Sequence, residues 1–228
     1  LRVVLNLIYD VAPAWFYRKY PDSVMVTSAG RRMEPTSTWC RQIGGTPGPN
    51  YHHAEARRVK ERFTAETVIR YKDHPALYIW DLWNEPELCY GARVPDPNHM
   101  VCYSDISREA FIEWLKRKYG TLERLNAVWF HRYSSWEDVE LPRNHTNYKP
   151  MIDWRMFFVD TLSEEARSRM ELVRSLDPKH PVMVHTVTGF PKANGPDEYA
   201  MAAMGDLFGA STNDSPFQSA MLRSYAGD

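Results

Sequence analysis

Cysteine is scarce: Cys40, Cys89 and Cys102 are the only three in 228 residues. So odd and sparse a set excludes a disulfide framework as the source of stability. Charge of one sign is lacking too. A formal net charge of −1 excludes the basic excess of a dedicated nucleic-acid binder, and acids and bases are interspersed along the apparent helices as on ordinary solvated faces. No apolar run approaches the roughly 20 residues that cross a bilayer, so no membrane partner is expected. Gly-rich phosphate loops, a Ser-His-Asp order and a Cys-His nucleophile pattern are absent, and no cofactor is expected. Repeats and low-complexity segments are missing as well. What is left is a globular chain long enough for one sizeable core and in no need of a second domain.

Aromatic residues are what the chain has in plenty, with 8 Trp and 13 Tyr. Sugar rings stack their C–H faces on such side chains, but large aromatics also fill cores, and composition alone favours the core.

Apolar runs and helical periodicities alternate, the signature of an α/β chain with a parallel sheet and crossover helices. Strands are expected at residues 1–9, 76–83 and 182–187, with a weaker one at 206–210. The first already reads as a buried strand at the start of the sequence, and no signal peptide is visible there. Helices are expected at 13–20, 51–73, 105–119, 122–130, 150–176 and 197–204. Gly120 stops the third and Thr121 caps the fourth. Residues 21–50, rich in Gly and Pro, read as a long irregular loop, and loops of that length are uncommon unless functional.

Tyr78-Ile79-Trp80-Asp81-Leu82-Trp83-Asn84-Glu85-Pro86 is the most informative stretch. A buried strand ending abruptly in Asn-Glu puts a carboxylic acid at the carboxyl end of a parallel sheet, the rim on which barrel enzymes build their sites. Glycoside hydrolysis needs a proton delivered to the leaving oxygen, and a carboxyl among apolar neighbours such as Trp83 suits that task. Asn84 supplies an amide for the hydroxyl beside the reacting carbon. The competing reading is that Glu85 caps a turn and Pro86 ends the strand. His185 and Asp10 follow strands at the same rim and are binding candidates. Trp15, Trp39 and Trp83 are candidate stacking platforms, each weighed against core packing.

The strand with Asn84-Glu85 resembles the fourth strand of the clan of retaining (β/α)₈ glycosidases. Three further stretches narrow the resemblance to glycoside hydrolase family 42, the β-galactosidases. The first is Val3-Val4-Leu5 through Ala12-Pro13-Ala14-Trp15, with Lys19-Tyr20-Pro21 and Gly30-Arg31-Arg32. The second is Phe111-Ile112-Glu113-Trp114-Leu115-Lys116-Arg117-Lys118-Tyr119-Gly120-Thr121-Leu122, with Leu125-Asn126 and Trp129. The third is Asp177-Pro178 with His180-Pro181-Val182. The resemblance implies part of a (β/α)₈ TIM barrel, about strands 3 to 6, with Glu85 as acid/base, a carbohydrate substrate and a homo-oligomer.

Departures from the family are equally legible. Many members hold zinc with four cysteines, one in the loop after the third strand and three in a Cys-x-Cys-x-x-Cys cluster. Cys40 and Cys102 fit two of these positions, but Ser104 and Ser107 stand at the others, a poor structural zinc set; no metal is expected. Thr36 replaces a substrate-touching arginine, and Asn213-Asp214-Ser215-Pro216 stands where the family shows Asp-x-Tyr-Pro, so the galactose-binding set is altered. The nucleophile of a retaining mechanism comes from the family's seventh strand, which by this count lies beyond Asp228. The chain then reads as a portion of one catalytic domain, with barrel strands outside it at both ends. Two rival readings remain: a non-catalytic carbohydrate-binding barrel, and a β-glucanase or β-mannanase type of the same clan.

Overall fold

A computed structural model of the chain describes residues 1–8, 12–33, 48–86, 101–143, 146–186, 196–210 and 216–226. Its four strands are β1 (Val3–Asn6), β2 (Leu77–Asn84), β3 (Val182–Thr186) and β4 (Leu207–Ala210). All are parallel and neighbours in sequence order, β1-β2-β3-β4. Parallel neighbours need crossover connections, and helices supply them: α1 (Ala14–Lys19), α2 (Ala54–Tyr71), α3 (Asp105–Tyr119), α4 (Leu122–Trp129), α5 (Tyr148–Leu176), α6 (Glu198–Met204) and α7 (Pro216–Ala226). Among the described residues, no helix is long and apolar enough to cross a membrane.

Element types follow the sequence closely, and the differences have local causes. α5 begins two residues before the expected start because Pro150 sits in its first turn, where no intrahelical N–H bond is required. β1 is shorter than its apolar run, and Val4 in it is exposed. α7 was not legible from periodicity, although Pro216 at its first position is a known helix-start signal. His52 and His53, just before α2, are tucked in among neighbouring side chains. His53 is buried and accepts the Ala56 N–H at the start of α2.

The aromatic surplus goes mainly into the core. Trp80, Trp129 and Trp154 are fully buried, and Phe111, Trp154, Phe157 and Phe158 form one edge-and-face cluster between α3 and α5. Buried indole N–H groups need acceptors. Trp80 donates to Asp177 at 2.8 Å and Trp129 to Asp153 at 2.8 Å. Asp177 also accepts from the backbone N–H of Lys179, so the Asp-Pro that ends α5 doubles as an anchor for β2.

One charged cluster lies inside this helix layer. Arg169 on α5 donates twice to Glu165, at 3.0 and 2.7 Å, with Lys60 of α2 at 3.6 Å from the same carboxylate. Burial pushes the Glu165 carboxyl up, but the charges of Lys60 and Arg169 outweigh it and hold the group at about 2. Its ordinary value is 4.5. The stabilisation it brings is therefore present above pH 4.5 and is lost as pH falls towards 2. Glu165→Gln removes the negative charge that faces two buried cations. It is expected to lower unfolding free energy in urea by about 3–5 kcal/mol and to flatten the loss of stability below pH 4.5. A variant as stable as the parent would refute this account.

Candidate active site

Asp81 is a carboxylate in an otherwise apolar strand, 5% exposed, and such a group must be paired. Its Oδ2 accepts from Asn6 Nδ2 on β1 at 2.5 Å and from His185 Nδ1 on β3 at 2.8 Å. One carboxylate oxygen thus ties three neighbouring strands together. The bond from Asp81 raises the His185 pKa against the opposing effect of burial, and the charges of Asp81 and Glu85 add to the rise.

The strand then breaks its alternation. Register slips between Asp81 and Asn84, which pairs with His185. Leu82 and Trp83 are consecutive and both buried. Glu85 follows at once, half-buried, with φ of 50° and its N–H donated to the His185 carbonyl at 2.9 Å. The left-handed region is unusual for a residue with a side chain. Phe130 shares it, at the end of α4, where such a conformation is ordinary. Glu85 ends a strand, and unusual backbone held in place there points to a functional constraint.

Of the expected site residues, Glu85, Asn84 and His185 come together at the carboxyl end of β2 and β3. Trp83 does not join them. It is 2% exposed, with the Arg169 guanidinium 3.8 Å above its ring and Tyr51 edge-on at 5.7 Å. The register slip commits it to the helix layer, so it packs α5 and is no stacking platform. Trp15 also stands apart. It lies on α1 and lines an apolar cavity of about 210 Å³ with Ile8, Pro13 and Phe63 of α2, on the side of the outer helices. Asp10 and Trp39 lie outside the described residues, as do Thr36 and residues 213–215. Asp81 and Asn6 were missed, although a lone acid inside an apolar strand is a signal that a buried partner exists.

Comparison with known proteins gives a consistent result. The family model described as "Beta-galactosidase" (Glyco_hydro_42) matches residues 1–214. A β-galactosidase of Heyndrickxia coagulans is 34% identical over 86% of this chain and 29% of its own length. A β-galactosidase of Alicyclobacillus acidocaldarius is 31% identical over 85% of this chain and 26% of its own. The crystal structure of β-galactosidase from Bacillus circulans sp. alkalophilus superposes with a TM-score of 0.75 at 25% identity, covering 99% of this chain and 33% of that one. The chain therefore spans under a third of the length of these two relatives.

Three of the positions that the resemblance assigns to zinc, Cys102, Ser104 and Ser107, meet in a hydrogen-bonded cluster. Asn50, buried, points its amide nitrogen at the hydroxyls of Ser104 (2.8 Å) and Ser107 (3.0 Å) and at the Cys102 sulfur (3.5 Å). Three acceptors thus share two amide protons. His52 continues the network, 3.4 Å from Ser107 Oγ and 3.1 Å from Thr161 Oγ1. Burial, helped by Arg57, lowers the pKa of His52 to about 4, so it is neutral at pH 7. Among the described residues no group of three or more His, Cys, Asp or Glu is arranged to hold an ion; Cys40 lies outside them. Asn50→Ala removes the donor that these side chains share and is expected to cost about 1–3 kcal/mol, measured by thermal unfolding. Treatment with a chelator is expected to leave the parent's Tm unchanged; a fall in Tm would contradict the hydrogen-bonded reading.

Proposed function

Because the chain belongs to glycoside hydrolase family 42, we propose that it contributes the acid/base side of a retaining, β-galactosidase-like active site. The observation that carries this reading is Glu85, a carboxyl at the carboxyl end of β2 whose left-handed backbone is pinned to the next strand. In a parallel barrel that rim faces the substrate. Glu85 would protonate the leaving oxygen of a terminal β-linked sugar, then take a proton from the water that releases it. Asn84, the preceding residue, would hold the hydroxyl next to the reacting carbon. The retaining reaction needs a second carboxylate about 5 Å from the first, and we assign it to a glutamate outside residues 1–228, in the rest of the same catalytic domain.

The reading makes a specific kinetic demand. A general acid matters most when the leaving group is poor. Glu85→Ala in the intact protein is expected to reduce turnover of an alkyl or disaccharide β-galactoside by about 10²–10⁴-fold, with a much smaller loss on an aryl galactoside bearing an activated leaving group. Equal losses on both substrates would remove Glu85 from the acid/base role. Faster turnover of aryl β-glucoside than of aryl β-galactoside would move the substrate class within the clan.

A further inference from the structure

β2 carries one residue more than its neighbour just where the candidate site begins. Asp81 pairs with Met183 and Asn84 with His185, so three steps along β2 span two along β3. A slip of one residue moves every later side chain to the other face of a sheet. Here the slip is what sets Asn84 on the same face as Asp81, opposite His185, instead of in the helix layer. Such a bulge leaves a residue outside the ladder and bends its strand, so its shape has to be held by other contacts.

α5 supplies them. Arg169, 4% exposed, donates from Nη1 to the Leu82 carbonyl at 3.5 Å and lies 3.8 Å from the centre of the Trp83 ring. Its Nε and Nη2 both donate to Oε1 of Glu165, at 3.0 and 2.7 Å. Tyr51 meets the same Trp83 ring edge-on, and Lys60 stands over Tyr51 at 4.3 Å. An apolar side chain could also pack against the indole. The guanidinium adds a flat face for the ring together with a donor for the carbonyl.

We infer that Arg169 is a positioning residue for the acid/base: gripped by Glu165, it holds the Leu82–Trp83 bulge from the helix side, and the bulge aims Asn84 and Glu85 at the substrate. This rests on the assignment of Glu85 above. Glu85 stands two positions beyond Trp83, with its left-handed backbone bonded to the His185 carbonyl. A shift of the bulge therefore passes directly into the acid, and Arg169 acts only through β2.

The test uses two substrates on the intact protein, an alkyl β-galactoside and an aryl β-galactoside with an activated leaving group. A displaced general acid harms turnover of the first more than of the second. In Arg169→Met, kcat on the alkyl galactoside is expected to fall by about 10²-fold, with a loss on the aryl galactoside about tenfold smaller. Glu165→Gln is the control for lost stability alone. Its amide oxygen can still accept both bonds from Arg169, so the parent's ratio of alkyl to aryl turnover is expected to persist. An unchanged ratio in Arg169→Met would overturn the inference, as would an equal change in Glu165→Gln, which would assign the effect to a loosened core. Should Arg169→Met fail to fold, Arg169→Lys decides. It keeps the charge opposite Glu165 and gives up the planar fork, and a parental ratio there overturns the inference. Equal losses on both substrates in Glu85→Ala remove the acid/base assignment itself. An ordinary split in Glu85→Ala with a parental ratio in Arg169→Met removes only the role of Arg169.

Discussion

A buried carboxylate in the middle of a parallel sheet has to find donors, and the concave side of this sheet is arranged around that need. Asp81 takes them from the strands on either side, Asn6 from β1 and His185 from β3. Those two bonds fix the height of three strands relative to one another. The next four residues then carry the register slip, Asn84 and the left-handed turn at Glu85. Without the pairing at Asp81, His185 would have no set orientation, and the carbonyl that holds the Glu85 N–H would sit on a less constrained strand.

The convex side obeys a different rule. Helices cover it, and Trp80 and Trp83 pack into that layer. Trp83 is the telling case. It stands one residue from Asn84 in sequence, yet the slip in alternation places it under Arg169 and beside Tyr51. Arg169 is in turn neutralised by Glu165, so a charged pair caps an aromatic two residues before Glu85. Burying such a pair is costly unless its geometry is good, and the bonds of 3.0 and 2.7 Å meet that condition.

The cluster around Asn50 joins the loop before α2, the segment from Cys102 and the start of α3. Here the polarised N–H bonds of one amide meet two hydroxyls and a sulfur. Ser104 also caps α3 by accepting from Ser107 N. Serine at these two positions is thus consistent with the asparagine, each group supplying what the other lacks.

Alternating apolar runs and helical periods gave the order of elements as far as β4, because burial on both faces of a parallel strand and on one face of a helix leaves a direct imprint on the chain; α7 was not visible in this way. Asn84-Glu85 was legible for a similar local reason: a polar pair where an apolar strand stops. The departures at Ser104 and Ser107 could be read by position alone. What the sequence left open concerned which residues meet across strands. Whether Trp83 faced the rim or the helices depended on a register slip, and register is set by neighbouring strands. Asp81, Asn6 and His185 are 75 and 104 residues apart in their bonds, so only tertiary structure joins them. Local pattern marked most elements and the Asn84-Glu85 pair; long-range pairing decided which side chains stand beside it.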